Sequence, residues 1–265
     1  MAIIQTDSVH YESIAEKIRE KLGVETRYKP AEMPNGLDDV YEAGKKAADD
    51  AFWDVVQVDG TRESYMCAFI SWGCEYIHPK HKVVPKTADS RNQTFCSSKS
   101  LKRVEKEYFD FSQCPKGTTV QSGWYYTFYQ CPDLEVVEDV GINNAYSFNS
   151  TFSSSPKIHT IECIYPDENT TFSDTFNWCD ALVYLRVNGT IGKNGFNVRY
   201  SKKLDKESHI SVFNAFSTTA TISATFSKVA VDKAFETTEG ANDGSTSAEW
   251  IALVGTRPNV TILLA

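Results

Sequence analysis

Thr127-Phe128-Tyr129-Gln130-Cys131-Pro132-Asp133-Leu134-Glu135-Val136-Val137 is echoed 24 residues later by Thr151-Phe152-Ser153-Ser154-Ser155-Pro156-Lys157-Ile158-His159-Thr160-Ile161. It is echoed again by Thr175-Phe176-Asn177-Trp178-Cys179-Asp180-Ala181-Leu182-Val183-Tyr184-Leu185. Counting from each Phe, a small residue stands three positions on (Cys131, Ser155, Cys179). Leu134, Ile158 and Leu182 stand six on, and Val137, Ile161 and Leu185 nine on. A second aromatic follows at twenty: Phe148, Phe172 and Phe196. Tyr200 falls where a fourth unit would begin. Self-similarity at such a period predicts a solenoid of stacked units.

Energetics points the same way. Each unit offers about five core side chains, worth ~1.5–3 kcal/mol apiece on burial. Ordering 24 residues costs on the order of 24–48 kcal/mol of backbone entropy. A unit standing alone cannot meet that cost, so its neighbours have to supply the second wall.

Working outward, residues 65–127 carry the pattern irregularly. Phe69 precedes Cys74 and Ile77, and Phe95 precedes Leu101 and Val104. Phe95 and Phe128 are 33 residues apart, nine more than the period, and the excess is expected near Cys114-Pro115-Lys116-Gly117 and Gly123-Trp124-Tyr125-Tyr126. Insertions in a solenoid become loops on one face. Residues 8–22 predict a helix with Ile14, Ile18 and Leu22 on one stripe, and 37–57 a second, longer one. Beyond Tyr200, Asp205 is read as the cap of a helix through Phe216, 219–226 as a strand and Ser227 as the cap of a helix to Phe235. Thr246-Ser-Ala-Glu249 reads as a capping box and Val260–Ala265 as a strand. The expected organisation is α/β: an N-terminal helical attachment module (1–64), a leucine-rich-repeat-like solenoid (65–203) and a C-terminal α/β cap (204–265).

A net charge of −8 argues against a nucleic-acid backbone or an anionic membrane as partner. No apolar run is long enough for membrane insertion, and the N-terminus lacks the pattern of a secretory signal. The seven cysteines are therefore expected as reduced thiols, with Cys131 and Cys179 acting as small apolar residues under the turn. Five Asn-x-Ser/Thr sequons are read as turn and strand residues that a repeat multiplies.

Candidate chemistry is sparse. Cys67, Cys74, His78 and His81 are all of zinc-ligand type, but their spacing fits neither half of the usual zinc pattern, and no metal or other cofactor is expected. Acidic residues at Asp133, Glu135, Glu138, Asp139, Asp167 and Glu168 read as a solvated face rather than a glycosidase pair. Nor does any Cys/His pairing recommend itself, so no enzyme is expected. Aromatics off the ladder are better evidence. Trp72, Tyr76, Trp124, Tyr125 and Tyr126 are the candidate ligand-binding residues, with Tyr129 and Trp178 beside them, because exposed aromatics suit sugars and protein partners.

The phrase Phe-x-x-Cys-x-x-Leu-x-x-Val/Leu in Phe128–Val137 and Phe176–Leu185 resembles the cysteine-bearing leucine-rich repeats of BspA-like bacterial surface antigens. Tyr41-Glu-Ala-Gly-Lys-Lys-Ala, Ala51-Phe-Trp-Asp and Asp59-Gly-Thr-Arg-Glu-Ser-Tyr resemble the leader of such proteins in gut Firmicutes and their prophages. Ile14–Gly23 with Tyr28-Lys-Pro-Ala-Glu-Met is similar to the first module of phage tail and baseplate proteins. Gly189–Phe196, Leu204-Asp-Lys-Glu-Ser and Arg257–Ile262 are similar to that family's C-terminal segment. The resemblance implies a non-enzymatic, tail-associated virion protein, assembled in the bacterial cytoplasm, whose solenoid binds a host cell-surface protein or glycan. Its N-terminal helices would contact other tail proteins, in a homo-oligomer. A purely structural tail or baseplate component and a bacterial adhesin stay open beside that reading.

Overall fold

A computed structural model describes residues 66–265 apart from Trp72, Cys74, Lys80, His81, Ser122, Asn144, Ala145 and the side chain of Asp89. The helices expected at 8–22 and 37–57 lie outside the described residues. The described chain is mixed α/β with parallel sheets. In the first sheet β1 (Arg103–Val104) pairs with β2 (Val136–Val137), and β2 with β4 (Thr160–Tyr165). β4 also pairs with β3 (Ile142–Asn143) and with β5 (Tyr184–Val187). The second sheet runs β6 (Phe196–Val198), β7 (Ile222–Phe226), β8 (Val260–Leu264). Every one of these pairings is parallel.

The register follows the sequence period. Val137 pairs with Ile161, and Ile161 with Leu185, each 24 positions on. Val104 pairs with Val137, 33 positions on, so the Phe95 unit matches the ladder at Leu101 and Val104 without a slip. The nine-residue excess falls between Val104 and Trp124, since Trp124 N–H already donates to Ser147 C=O in step with the later units. Gly123–Tyr126 is therefore no insertion. It is the opening of the Phe128 unit, and the extra chain is the loop before it. Arg91 helps hold that loop from within the core: its two terminal nitrogens donate to Pro115 C=O and Asn143 C=O at 2.7 Å each, and burial lowers its pKa.

Five phenylalanines form a column. Phe69–Phe95, Phe95–Phe128, Phe128–Phe152 and Phe152–Phe176 stack at 5.3, 5.2, 5.3 and 5.8 Å between ring centroids. The residues two before and two after each Phe are left-handed, with φ between 50° and 62°: Cys67, Gln93, Tyr126, Ser150 and Asp174 before, Ser71, Ser97, Gln130, Ser154 and Trp178 after. None is glycine, although the conformation costs an L-residue roughly 1–2 kcal/mol. What holds them is the neighbouring unit. The N–H groups of Tyr126, Phe128 and Gln130, for example, donate to the carbonyls of Asn149, Thr151 and Ser153 at 2.8–3.1 Å. The column ends differently from the expectation. Ser201 N–H donates to Val198 C=O and Leu204 N–H to Ser201 C=O, as Ser98 does to Phe95 and Leu101 to Ser98. Val198, not Tyr200, thus takes the position of the Phe, in a unit two residues shorter.

The +3 residue does more than fill space. Ser98 Oγ donates to Phe69 C=O at 2.6 Å, Cys131 Sγ to Phe95 C=O at 3.0 Å, Ser155 Oγ to Phe128 C=O at 2.8 Å and Cys179 Sγ to Phe152 C=O at 3.2 Å. These are buried contacts, and burial pushes the Cys131 thiol up to about 12 and the Cys179 thiol higher still. The slot needs a small side chain with a hydrogen to give, which Ser and Cys share and Ala lacks. Ser155→Ala is expected to destabilise by about 1–3 kcal/mol, because it strips a buried carbonyl and the Cys131 N–H that Ser155 Oγ also accepts. Ser155→Cys, the residue of the flanking units, should cost less than half of that. Urea denaturation of the three proteins decides it, and equal costs for Ala and Cys would reduce the slot to packing.

Beyond Leu204 the chain closes its open edge with a helix. α1 (Lys206–Ala215) is capped by Asp205, whose carboxylate accepts from Ser208 N–H at 2.8 Å. Two of its serines take over the edge of β5. Ser208 Oγ accepts from Leu185 N–H and donates to Val183 C=O, while Ser211 Oγ accepts from Val187 N–H and donates to Val187 C=O. Ser227 caps α2 (Lys228–Ala234). Ser247 rather than Thr246 caps α3 (Ala248–Gly255), accepting from Trp250 N–H; Trp250 stands at N3 and Glu249 pairs with Lys206, so the expected capping box is not formed.

His209, on the inner side of α1, is 0% exposed among Phe226, Phe235 and Trp250. Its Nδ1 bonds to Asp205 C=O at 2.7 Å, Nε2 has no partner, and burial lowers its pKa to about 4. The unfolded chain takes up this proton near pH 6.5, the folded chain only near pH 4. Stability from this group is complete above pH 6.5, falls as the pH drops and levels off below 4, by about 3 kcal/mol at most. Chemical denaturation between pH 7 and 4 should show that slope, and His209→Leu should remove it.

Candidate ligand-binding trough

The left-handed turns around the Phe column set out one face in rows. In the Phe128 unit the positions at −3, −2, +1 and +2 carry Tyr125, Tyr126, Tyr129 and Gln130. Tyr125 and Tyr126 rings lie 4.2 Å apart, Tyr126 and Tyr129 4.6 Å, and Gln130 Nε2 donates to Tyr129 Oη at 3.2 Å. In the Phe152 unit the same positions hold Asn149, Ser150, Ser153 and Ser154. In the Phe176 unit they hold Ser173, Asp174, Asn177 and Trp178. Trp178 is 54% exposed and stacks on Tyr200, its counterpart in the next unit, at 4.4 Å. The Arg199 guanidinium lies over the far ring at 4.7 Å.

Three tyrosines on the Phe128 unit and Trp178 on the Phe176 unit, with small side chains between them, make a trough one unit wide. Its walls belong to units that sit two ring spacings apart, 5.3 and 5.8 Å. Ser150 and Ser153 occupy display positions, yet are only 7% and 6% exposed. Floor residues shaded by taller neighbours behave in this way. The side chains of Asn149, Ser150, Ser153 and Ser154 make no hydrogen bond within the protein. Together they offer an amide and three hydroxyls to a ligand, each able both to donate and to accept. Asp174 is engaged already, accepting from Asn177 Nδ2 at 2.6 Å.

Of the residues expected to bind ligand, Tyr125 and Tyr126 line one wall of this trough. Trp124 does not. It is 0% exposed, its ring edges onto Phe111 and stacks near Phe128, and its Nε1 donates to Asn143 C=O at 3.1 Å. It occupies the slot four residues before the Phe that Phe148 and Phe172 fill in the next units, and Thr151 Oγ1 donates to its carbonyl as Thr175 Oγ1 does to that of Phe148. Tyr76 sits apart from the trough, 5.8 Å from His78, whose ring stacks on Tyr108. Trp72 lies outside the described residues.

The weak zinc candidate is only half described, since Cys74 and His81 fall outside. Cys67 Sγ donates to Gln93 Oε1 and His78 Nε2 bonds to Glu105 at 2.7 Å. Among the described residues no group of three or more His, Cys, Asp or Glu is placed to hold a metal.

Elsewhere a cleft of about 610 Å³ is lined by Lys82, Lys106, Asp110, Asp139, Tyr165 and Asp167, among others. Its carboxylates have partners: Asp139 accepts from Tyr165 Oη at 2.6 Å, and Asp167 pairs with Lys116, which holds it below the usual carboxylate range despite partial burial. Glu138 pairs in the same way with Arg103, and Asp133 with Lys157.

Core and display roles separate by mutation. Trp124→Ala is expected to cost about 3–5 kcal/mol of stability, and Trp178→Ala no more than about 1 kcal/mol, chiefly its stacking on Tyr200. Urea midpoints measure both, and comparable losses would contradict the assignment.

No protein family, curated protein or solved structure matches this chain, and function is therefore read from the residues themselves.

Proposed function

We propose that the chain is a non-enzymatic binding protein of the leucine-rich-repeat solenoid class, associated with a phage tail, and that it contacts the host surface through the trough of the Phe128–Phe176 units. The parallel pairing at the sequence period and the phenylalanine column support the architectural half of this reading. The trough carries the other half: aromatic walls and a floor of polar side chains that the fold leaves unpaired. The exposed Trp178 supports binding over a purely structural role, because such a ring gives a large contact area at low entropic cost. The N-terminal residues 1–64 attach the chain to the particle and assemble copies of it.

Adsorption tests the reading. The purified full-length chain should bind cells of the bacterium its phage infects and lower the adsorption rate of that phage in competition. A chain present in virions that neither binds cells nor competes is a structural component, and the proposal then fails.

A further inference from the structure

Resting on that reading, we infer that the trough's ligand is a neutral glycan, held with one pyranose ring across the floor between the tyrosine wall and Trp178. Three observations converge on this chemistry. The first is the pairing of half-buried tyrosine rings and the exposed Trp178 with unused polar groups. A pyranose has one face of C–H bonds, which packs against an aromatic ring, and an equatorial belt of hydroxyls, each both donor and acceptor. Tyr125, Tyr126, Tyr129 and Trp178 supply the rings. Asn149, Ser150, Ser153 and Ser154 supply groups of the same dual character, and none is spent within the protein.

The second is charge. The floor and the tyrosine wall hold no Lys, Arg, Asp or Glu at the display positions, and Asp174 on the other wall is committed to Asn177. Arg199, the nearest described cation of that wall, lies over the Tyr200 ring, on the unit beyond Trp178. A phosphate- or carboxylate-bearing polymer would find no cation on the floor, and a basic peptide no free carboxylate there. Neutral hydroxyls and amides fit what is present.

The third is rigidity. On the floor and the tyrosine wall the left-handed backbone is fixed on both sides by hydrogen bonds to adjoining units, and the Trp178 turn is held on one side, where Ser173, Thr175 and Asn177 C=O accept from Ser150, Phe152 and Ser154 N–H. The tyrosine cluster and the Trp178–Tyr200–Arg199 stack brace the walls. Sugars bind weakly per atom, since each hydroxyl exchanges water for protein, so a site that needs no ordering on binding keeps more of its gross interaction.

A printed array of neutral and anionic glycans, probed with the purified full-length chain, is the direct experiment. Retention on one or more neutral glycans is expected, with at least a tenfold loss of affinity in Trp178→Ala and in Ser153→Tyr. The second substitution places at +1 the residue that the Phe128 unit already carries there, filling the trough while leaving the column alone. An unchanged urea midpoint for Ser153→Tyr separates lost binding from lost folding. Retention on anionic glycans only, on none, or undiminished in both variants overturns the inference. Cells stripped with periodate or with protease keep the two levels apart. Adsorption abolished by periodate agrees with a glycan, whereas adsorption that survives periodate and is lost to protease leaves the receptor-binding reading standing and removes the glycan. Absence of adsorption to untreated cells removes the receptor-binding reading itself.

Discussion

Each of the first four phenylalanines in the column has a buried carbonyl that a side chain from the following unit satisfies. Ser98, Cys131, Ser155 and Cys179 do so in turn, and each is a donor small enough to fit beneath the ring. Ser201 Oγ, in the same slot after Phe176, is instead buried without a partner. A buried carbonyl without a partner costs more than a hydrogen bond gains, so this requirement acts chiefly by exclusion. It constrains the distance between units, because a hydroxyl or thiol must come within about 3 Å of a carbonyl in the preceding unit. With that distance constrained, the rings stack near 5.3 Å, the N–H groups at −2, 0 and +2 meet their acceptors, and the strands nine residues on fall into parallel register.

Thr at −1 repeats the device one position away. Thr127, Thr151 and Thr175 donate to the carbonyls of Arg91, Trp124 and Phe148 in the preceding units, and Thr94 to Ser90 within its own. The Thr-Phe phrase that marks each unit in the sequence is thus an interface in its own right: the hydroxyl ties one turn, the ring fills the column. Where the pattern runs out after Leu204, serines on a helix carry the same task to the edge of β5.

Much of this was legible in the sequence, for a physical reason. Core positions repeat because the column and the strand ladder impose one environment on every unit, so Leu134, Ile158 and Leu182 declare themselves by spacing. The caps at Asp205 and Ser227 were equally readable, since capping is local chemistry. Other features were hidden by the choice of origin. Trp124 lies 29 residues after Phe95 because of the loop before it, so counting forward misses a slot that counting four back from Phe128 finds. Tyr200 fell at the right period and the wrong place, because its unit is two residues shorter. The trough was invisible for a deeper reason. A search for repeats rewards identity, whereas the trough is a difference between units, a row of serines where its neighbours carry rings. Tyr125, Tyr126 and Trp178 drew notice as aromatics, but their meaning depends on Ser150 and Ser153, which drew none.

The left-handed positions have a consequence for how such a protein changes over time. Within one chain they accept Cys, Gln, Tyr, Ser, Asp and Trp at the same backbone angle. Ten sites of similar strain, filled in six ways, amount to a substitution series already carried out, and the fold has tolerated every member. Because the backbone penalty is set by chirality and the hydrogen bonds that offset it are main-chain, side-chain identity at these sites is largely decoupled from stability. The residues that face outward can therefore be exchanged singly, each trial leaving the scaffold intact. Under the proposed receptor-binding function, a host that alters its surface meets a protein whose recognition letters are separable from its grammar.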